Sequence, residues 1–190
     1  AEELSKRRRK AARDLSARVQ EELRFLDMPN VRFEAQQTTG ELGPTGADQL
    51  QFLVSTNPGE PPKPMAKIAS GGELSRIMLA LKTVLADRDV VGSMIFDEVD
   101  AGVGGSAANK VGRKLKQVSR SRQVICVTHS AQIAAMADTH FQIEKKVSGG
   151  RTYTAVRALS EEERQAEVAR MIGGSEVTPL TLQNAAEMIR

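Results

Sequence analysis

Two short apolar segments constrain the fold more than any other feature of these 190 residues: SMIFD at 93–97 and QVICVT at 123–128, separated by a helix-forming stretch at 105–119. Apolar runs of that length read as buried strands. Strand, helix and strand in sequence is the pattern of parallel strands joined by a right-handed crossover. The expected fold class is therefore α/β, a mostly parallel sheet flanked by helices. Around this unit the pattern predicts strands at 31–37 and 49–54, with Gly40, Gly43, Pro44 and Gly46 in a turn or loop between them. Residues 57–64 (NPGEPPKP) hold four of the seven prolines and predict a stiff extended loop. FQIEKKV and RTYTAVR, around Gly149 and Gly150, predict a β-hairpin. Helices are predicted at 73–87, 130–137, 160–172 and 179–189. Ser160 and Glu163 form a capping box for the third, Gly173-Gly174 stops it, and Thr178 caps the fourth ahead of Pro179.

Residues 3–26 predict one long helix, free of Gly and Pro and ended by Met28-Pro29. Leu4, Ala11, Leu15, Val19, Leu23 and Leu26 give it a narrow apolar stripe. Such a stripe belongs to a helix lying on one partner or in a coiled coil, and the high charge density favours the coiled coil. Residues 1–24 carry eight Lys/Arg against five Asp/Glu, an excess equal to the +3 of the whole chain, so the remainder is balanced. A basic stretch of this kind either attracts nucleic acid or is a solvated helix face.

Composition removes several classes. With 40% apolar and 27% charged residues the chain is globular in type. Cys126 is the only cysteine, and His129 and His140 the only histidines, which argues against a disulfide framework, a cysteine zinc site or a multi-histidine site. No apolar run approaches the roughly 20 residues of a membrane span, and no secretory signal is visible, so no membrane partner and a cytoplasmic location are expected.

Three segments carry candidate chemistry. Ala69-Ser70-Gly71-Gly72-Glu73 opens the helix at 73–87; a small-residue turn at a helix start offers backbone N–H groups and the positive dipole end to a phosphate, or is a plain N-cap. Met94-Ile95-Phe96-Asp97-Glu98 ends an apolar strand in two carboxylates, at the edge where open α/β sheets bind ligands, or starts an acidic loop. There Asp97 suits Mg²⁺ and Glu98 suits polarisation of a water. Val124 to His129 ends a second strand in a histidine, a donor to phosphate oxygen or a structural residue. Cys126 within that strand reads as a small buried hydrophobe.

In this order the three segments resemble the signature, the Walker B motif with its catalytic glutamate, and the switch histidine of ABC-type ATPases, with Asp100 where a D-loop would lie. NPGEPPKPMAKIASGGELSRIMLALK, FDEVDAGVGG and VTHSAQIAAMAD are similar, more narrowly, to the C-terminal half of the RecN family, bacterial SMC-like proteins of DNA double-strand-break repair; the likeness runs from about Gly46 to Gly174. Ala69 and Glu73 depart from the usual Leu and Gln of the ABC signature. The resemblance implies that 1–28 is the end of a coiled-coil arm and 29–190 the C-terminal lobe of an ABC-type ATPase head, in a nucleoid-associated protein. It implies ATP and Mg²⁺ as cofactors. Ser70, Gly71, Gly72, Glu73 and Asp100 would serve the nucleotide and Asp97 the metal. Glu98 would orient or deprotonate water, and His129 would sense the γ-phosphate.

The chain has no G-x-x-x-x-G-K-[ST] loop, and Lys82-Thr83 lies inside a predicted helix. The resemblance places that loop in an N-terminal lobe beyond a coiled-coil hairpin. The expected partners are that lobe, a second head in an ATP-bridged homodimer, and DNA. The sheet is expected to lack strands and to expose an apolar edge. Two alternatives stand beside this reading: another ABC- or SMC-type head, or a non-catalytic DNA-binding or dimerisation module. The last rests on residues 6–13 and is short of stacking groups, with one Tyr, five Phe and no Trp.

Overall fold

The computed structural model describes every residue except Asp87, Asp89, Gly149, Ser175 and Arg190. The chain divides into two compact units, residues 1–103 with 117–127, and residues 104–116 with 128–190.

The first unit begins with α1 (Glu2–Phe25), the predicted long helix, followed by the hairpin of β1 (Arg32–Gly43) and β2 (Gly46–Ser55). The strands pair antiparallel from Arg32↔Ser55 to Gly43↔Gly46, with a register irregularity between Thr39 and Gly43. Residues 38–43, read from sequence as loop, are thus strand. The glycines are absorbed by the irregularity and by a tight turn in which Gly46 takes φ +99°. From the proline-rich segment β3 (Lys63–Pro64) pairs with β2, and a 3-10 turn at Met65–Lys67 follows.

Helix α1 packs on β1 and covers its open edge with polar side chains. The Gln20 amide donates to Val31 O (2.6 Å) and accepts from Phe33 N–H (3.2 Å), while Ser16 Oγ accepts from Ala35 N–H (3.0 Å). Nearer the N-terminus the Arg8 guanidinium donates to Asp48 Oδ2 (3.0 Å) and Gln37 Nε2 to Asp48 Oδ1 (2.6 Å). Hydrogen bonding from Ser5 first, then from Arg8 and Gln37, holds the Asp48 carboxyl below its ordinary value, against the opposing effect of burial. A carboxylate with a depressed folded pKa stabilises above its unfolded pKa of about 4 and loses that contribution as pH falls through the folded value. Melting temperature should therefore fall as pH drops below about 4, with a shallower slope in Asp48→Asn; identical pH profiles would refute the assignment.

Further on come α2 (Gly71–Val84), β4 (Ser93–Phe96) and, after the connecting α3 (Gly105–Ser119), β5 (Gln123–Cys126). Position 87, the predicted end of α2, lies outside the described residues. Strands β4 and β5 are parallel, Ser93↔Gln123 to Phe96↔Cys126, as the strand–helix–strand pattern requires. The expectation of a mostly parallel sheet is corrected: among the described residues this is the one parallel pair, in three small separate sheets. The physical reason is connection length. The other hairpins turn within a few residues, whereas parallel pairing needs a crossover of about a dozen or more. Met94 and Phe96 are buried beneath the pair, while Ile95 (73% exposed), Ile125 and Val127 stand open on it.

In the second unit α4 (Ala131–Ala134) is shorter than the predicted 130–137. It is followed by β6 (Phe141–Ser148), β7 (Arg151–Ala158), α5 (Glu161–Gly173) and α6 (Pro179–Ile189). The hairpin is antiparallel as predicted; position 149 of its turn lies outside the described residues. The Ser160–Glu163 capping box forms, Gly174 ends α5 at φ +74°, and Thr178 Oγ1 accepts from Thr181 N–H. Ala131, Ala134, Ala135, Val168, Ala169 and Ala185 make the core of this unit. Among the described residues no helix is long and apolar enough to cross a membrane.

Candidate functional site

The site is built where α2 begins and β4 ends. Ser70 caps α2, its Oγ accepting from Glu73 N–H at 3.4 Å, and leaves the exposed helix start formed by Ser70 and Gly71 as the positive end of the dipole. Helix α2 forms because Ile77, Ala80, Leu81 and Val84 bury one face, with Leu79 buried on the side away from them.

Beyond Phe96 the chain turns sharply. Glu98 takes φ +55°, a left-handed conformation that costs a non-glycine residue about 1–2 kcal/mol. Four features hold the turn. Ala101 N–H bonds back to Glu98 O (3.0 Å), and Val99 is wholly buried. Ser75 Oγ donates to Asp97 O (2.7 Å), and Arg76 Nη1 donates to Ala101 O (2.8 Å) and Val99 O (3.3 Å). Burial pushes the Arg76 guanidinium below its ordinary pKa, and the charges of Glu73 and Asp100 oppose that shift.

The turn lies directly on the start of α2. A Cβ built on Gly71 would stand 2.5 Å from Glu98 Oε2, so the carboxylate sits over the helix N-terminus. A Cβ on Gly72 would meet Ala101 Cβ at 2.8 Å, Ala101 O at 3.0 Å and Glu98 O at 3.1 Å. Glycine at 72 is thus a condition of close approach. Gly72→Ala should cost about 1–3 kcal/mol, the scale of overpacking, measured by urea unfolding. An unchanged midpoint would show that the turn does not press on the helix.

The first unit therefore brings Ser70, Gly71, Gly72 and Glu73 together with Asp97, Glu98 and Asp100. Asp100 is buried, at 3% exposure. Cys126, at the end of β5, has its thiol pushed up to about 12 by burial and by the charges of Asp100 and Asp97, so it stays protonated at neutral pH and is no nucleophile. His129 belongs to the second unit and is exposed on a turn in which Ser130 N–H bonds Thr128 Oγ1 (3.0 Å). Among the described residues no three His, Cys, Asp or Glu converge on a metal position. A lone exposed Asp97 carboxylate suits Mg²⁺, which takes most of its ligands from phosphate and water.

Sequence reasoning missed Ser75 and Arg76. The available signal was a charged residue at 76 one position before Ile77, on the face that α2 buries.

No family model matches the chain. It is 49% identical over 187 residues to the DNA repair protein RecN of Halalkalibacterium halodurans, covering 96% of this chain and 33% of that protein. It is 45% identical over 194 residues to the DNA repair protein RecN of Treponema pallidum, covering 98% and 34%. With the RecN of Vibrio cholerae it shares 42% over 191 residues, covering 100% and 34%. The chain thus spans about a third of the length of these relatives. In fold it is similar to a chain from work on ATP-driven dimerization and DNA-stimulated activation of SMC ATPases (TM-score 0.53, 20% identity, 90% of this chain and 99% of that one). It is also similar to the Smc head domain with coiled coil and joint derived from Pyrococcus yayanosii (TM-score 0.57, 23% identity, 81% and 28%). These likenesses establish an α/β, SMC head-like fold with a long N-terminal helix.

Proposed function

We propose, from the premise that the chain is homologous across nearly its full length to a third of the RecN proteins, that it forms the C-terminal lobe of an SMC-like ATPase head acting in DNA repair. The observation that carries this reading is the cluster itself: a Ser-Gly-Gly helix start and the carboxylate end of a parallel strand, held against each other by Ser75 and Arg76.

In this reading residues 1–28 are the root of a coiled-coil arm and 29–190 the lobe. Ser70, Gly71 and Gly72 would meet the γ-phosphate of a nucleotide held by a second head, through the N–H groups and dipole of α2. Glu73 would lie at the same helix start, and Asp100 at the head-to-head boundary. Asp97 would hold Mg²⁺, which, when bound, neutralises phosphate charge. Glu98 would accept the proton of the attacking water or orient it. His129 would donate to the γ-phosphate. ATP would favour engaged heads and hydrolysis would release them, shifting a two-state population in a DNA-bound assembly.

The partner of the open β4–β5 face is the N-terminal lobe carrying the phosphate loop that this sequence lacks. Parallel strands are normally covered on both faces, and Ile95, Ile125 and Val127 are uncovered here. A separate DNA-binding module resting on residues 6–13 is less favoured, because Arg7 already pairs with Glu3 and Arg8 with Asp48. The test compares ATP turnover by this chain alone and with its N-terminal lobe. Turnover is expected only in the mixture, and appreciable turnover by the chain alone would overturn the divided site.

A further inference from the structure

We propose that Arg76, assisted by Ser75, is a positioning residue for hydrolysis: it locks the turn 97–101 so that Glu98 is presented in its left-handed conformation. The proposal rests on the reading of Glu98 given above and adds to it the group that fixes that residue's aim.

Arg76 is one of the buried residues of α2. It is 7% exposed, on the face of α2 that carries Ile77 and Ala80. An arginine buried on an apolar face is costly unless its donors are used, and here Nη1 serves two carbonyls of the turn while Nε is left without a partner. The bonds go to Val99 O and Ala101 O, one and three residues beyond Glu98, while Ser75 Oγ takes Asp97 O, one residue before it. The strained residue is thus pinned on both sides by adjacent residues of one helix turn. Val99, wholly buried, prevents the turn from lifting outward. A backbone held in a sparsely populated region persists only where its surroundings over-determine it, and these contacts supply that condition.

The arrangement also explains why an arginine suits position 76. One guanidinium nitrogen spans two carbonyls that an amide or a shorter side chain would not reach together. A lysine offers a point charge with rotatable donors, and restores part of the restraint without its planar geometry. Relaxation of the turn would leave α2 and its exposed start in place, because the helix is held by its own apolar face. Nucleotide binding and head engagement therefore separate from the chemical step.

The experiment uses the full-length protein that contains this segment, with turnover normalised to ATP bound. Arg76→Met should lower kcat about 10–100-fold, the scale of misplacing a catalytic group by an ångström, with the Kd for ATP unchanged. Arg76→Lys should recover part of the loss, which a merely packing role would not predict. Should Arg76→Met not fold, Ser75→Ala carries the test, with a several-fold lower kcat at unchanged Kd. Glu98→Gln is measured alongside. If it is inactive while the folded Arg76 and Ser75 variants turn over at the wild-type rate per bound ATP, the assignment of Arg76 is overturned. If Glu98→Gln itself turns over normally, it is the reading of Glu98 that fails.

Discussion

Glu98→Gln in the complete protein is expected to abolish steady-state ATP hydrolysis, lowering kcat by about 10²–10⁴-fold while leaving ATP bound. The argument begins with place. Glu98 is exposed at the carboxyl end of a parallel strand, on a turn fixed by Ser75, Arg76 and buried Val99, and its carboxylate lies over the start of α2. An amide keeps the shape but cannot accept a proton. Binding should survive, because the groups proposed to meet phosphate at Ser70–Gly72 are untouched. Loss of binding together with turnover would assign Glu98 to nucleotide capture instead, and unchanged turnover would remove it from the chemistry altogether.

The second large effect concerns assembly. Ile95→Glu should weaken association with the N-terminal lobe by at least about 100-fold, because the interface would bury a carboxylate with no partner. Ile95 is 73% exposed in this chain, so the variant should melt like the wild type. Calorimetric titration of the two lobes reads the first quantity and thermal unfolding the second. Equal affinity for both forms would place the partner elsewhere, and a lowered melting temperature would mean that Ile95 supports this lobe itself.

Elements with strong local signals were legible in the sequence. The apolar strands, the capping box at Ser160 and the Gly-Gly stop after α5 are set by residues close in the chain, and they appear where expected. The hairpin at 32–55 was under-read because glycines that usually mark loops sit here at a register irregularity and a tight turn. The parallel sheet was over-read. A strand–helix–strand pattern fixes one pair, and nothing in it supplies the remaining strands. Within the site, Ser70, Gly71, Gly72, Asp97 and Glu98 were visible as motif residues. Arg76 was not, because its role depends on carbonyls more than twenty residues away that only the folded chain brings to it.

The seam between α1 and the first hairpin has a mechanical corollary. Ser5, Arg8, Ser16 and Gln20 fasten one side of the helix to β1 and β2 over four turns. A rod riveted at that many points cannot roll about its axis without shearing several rivets together. Torque applied through the helix on the N-terminal side of Ser5 is therefore passed to the strands through these contacts together.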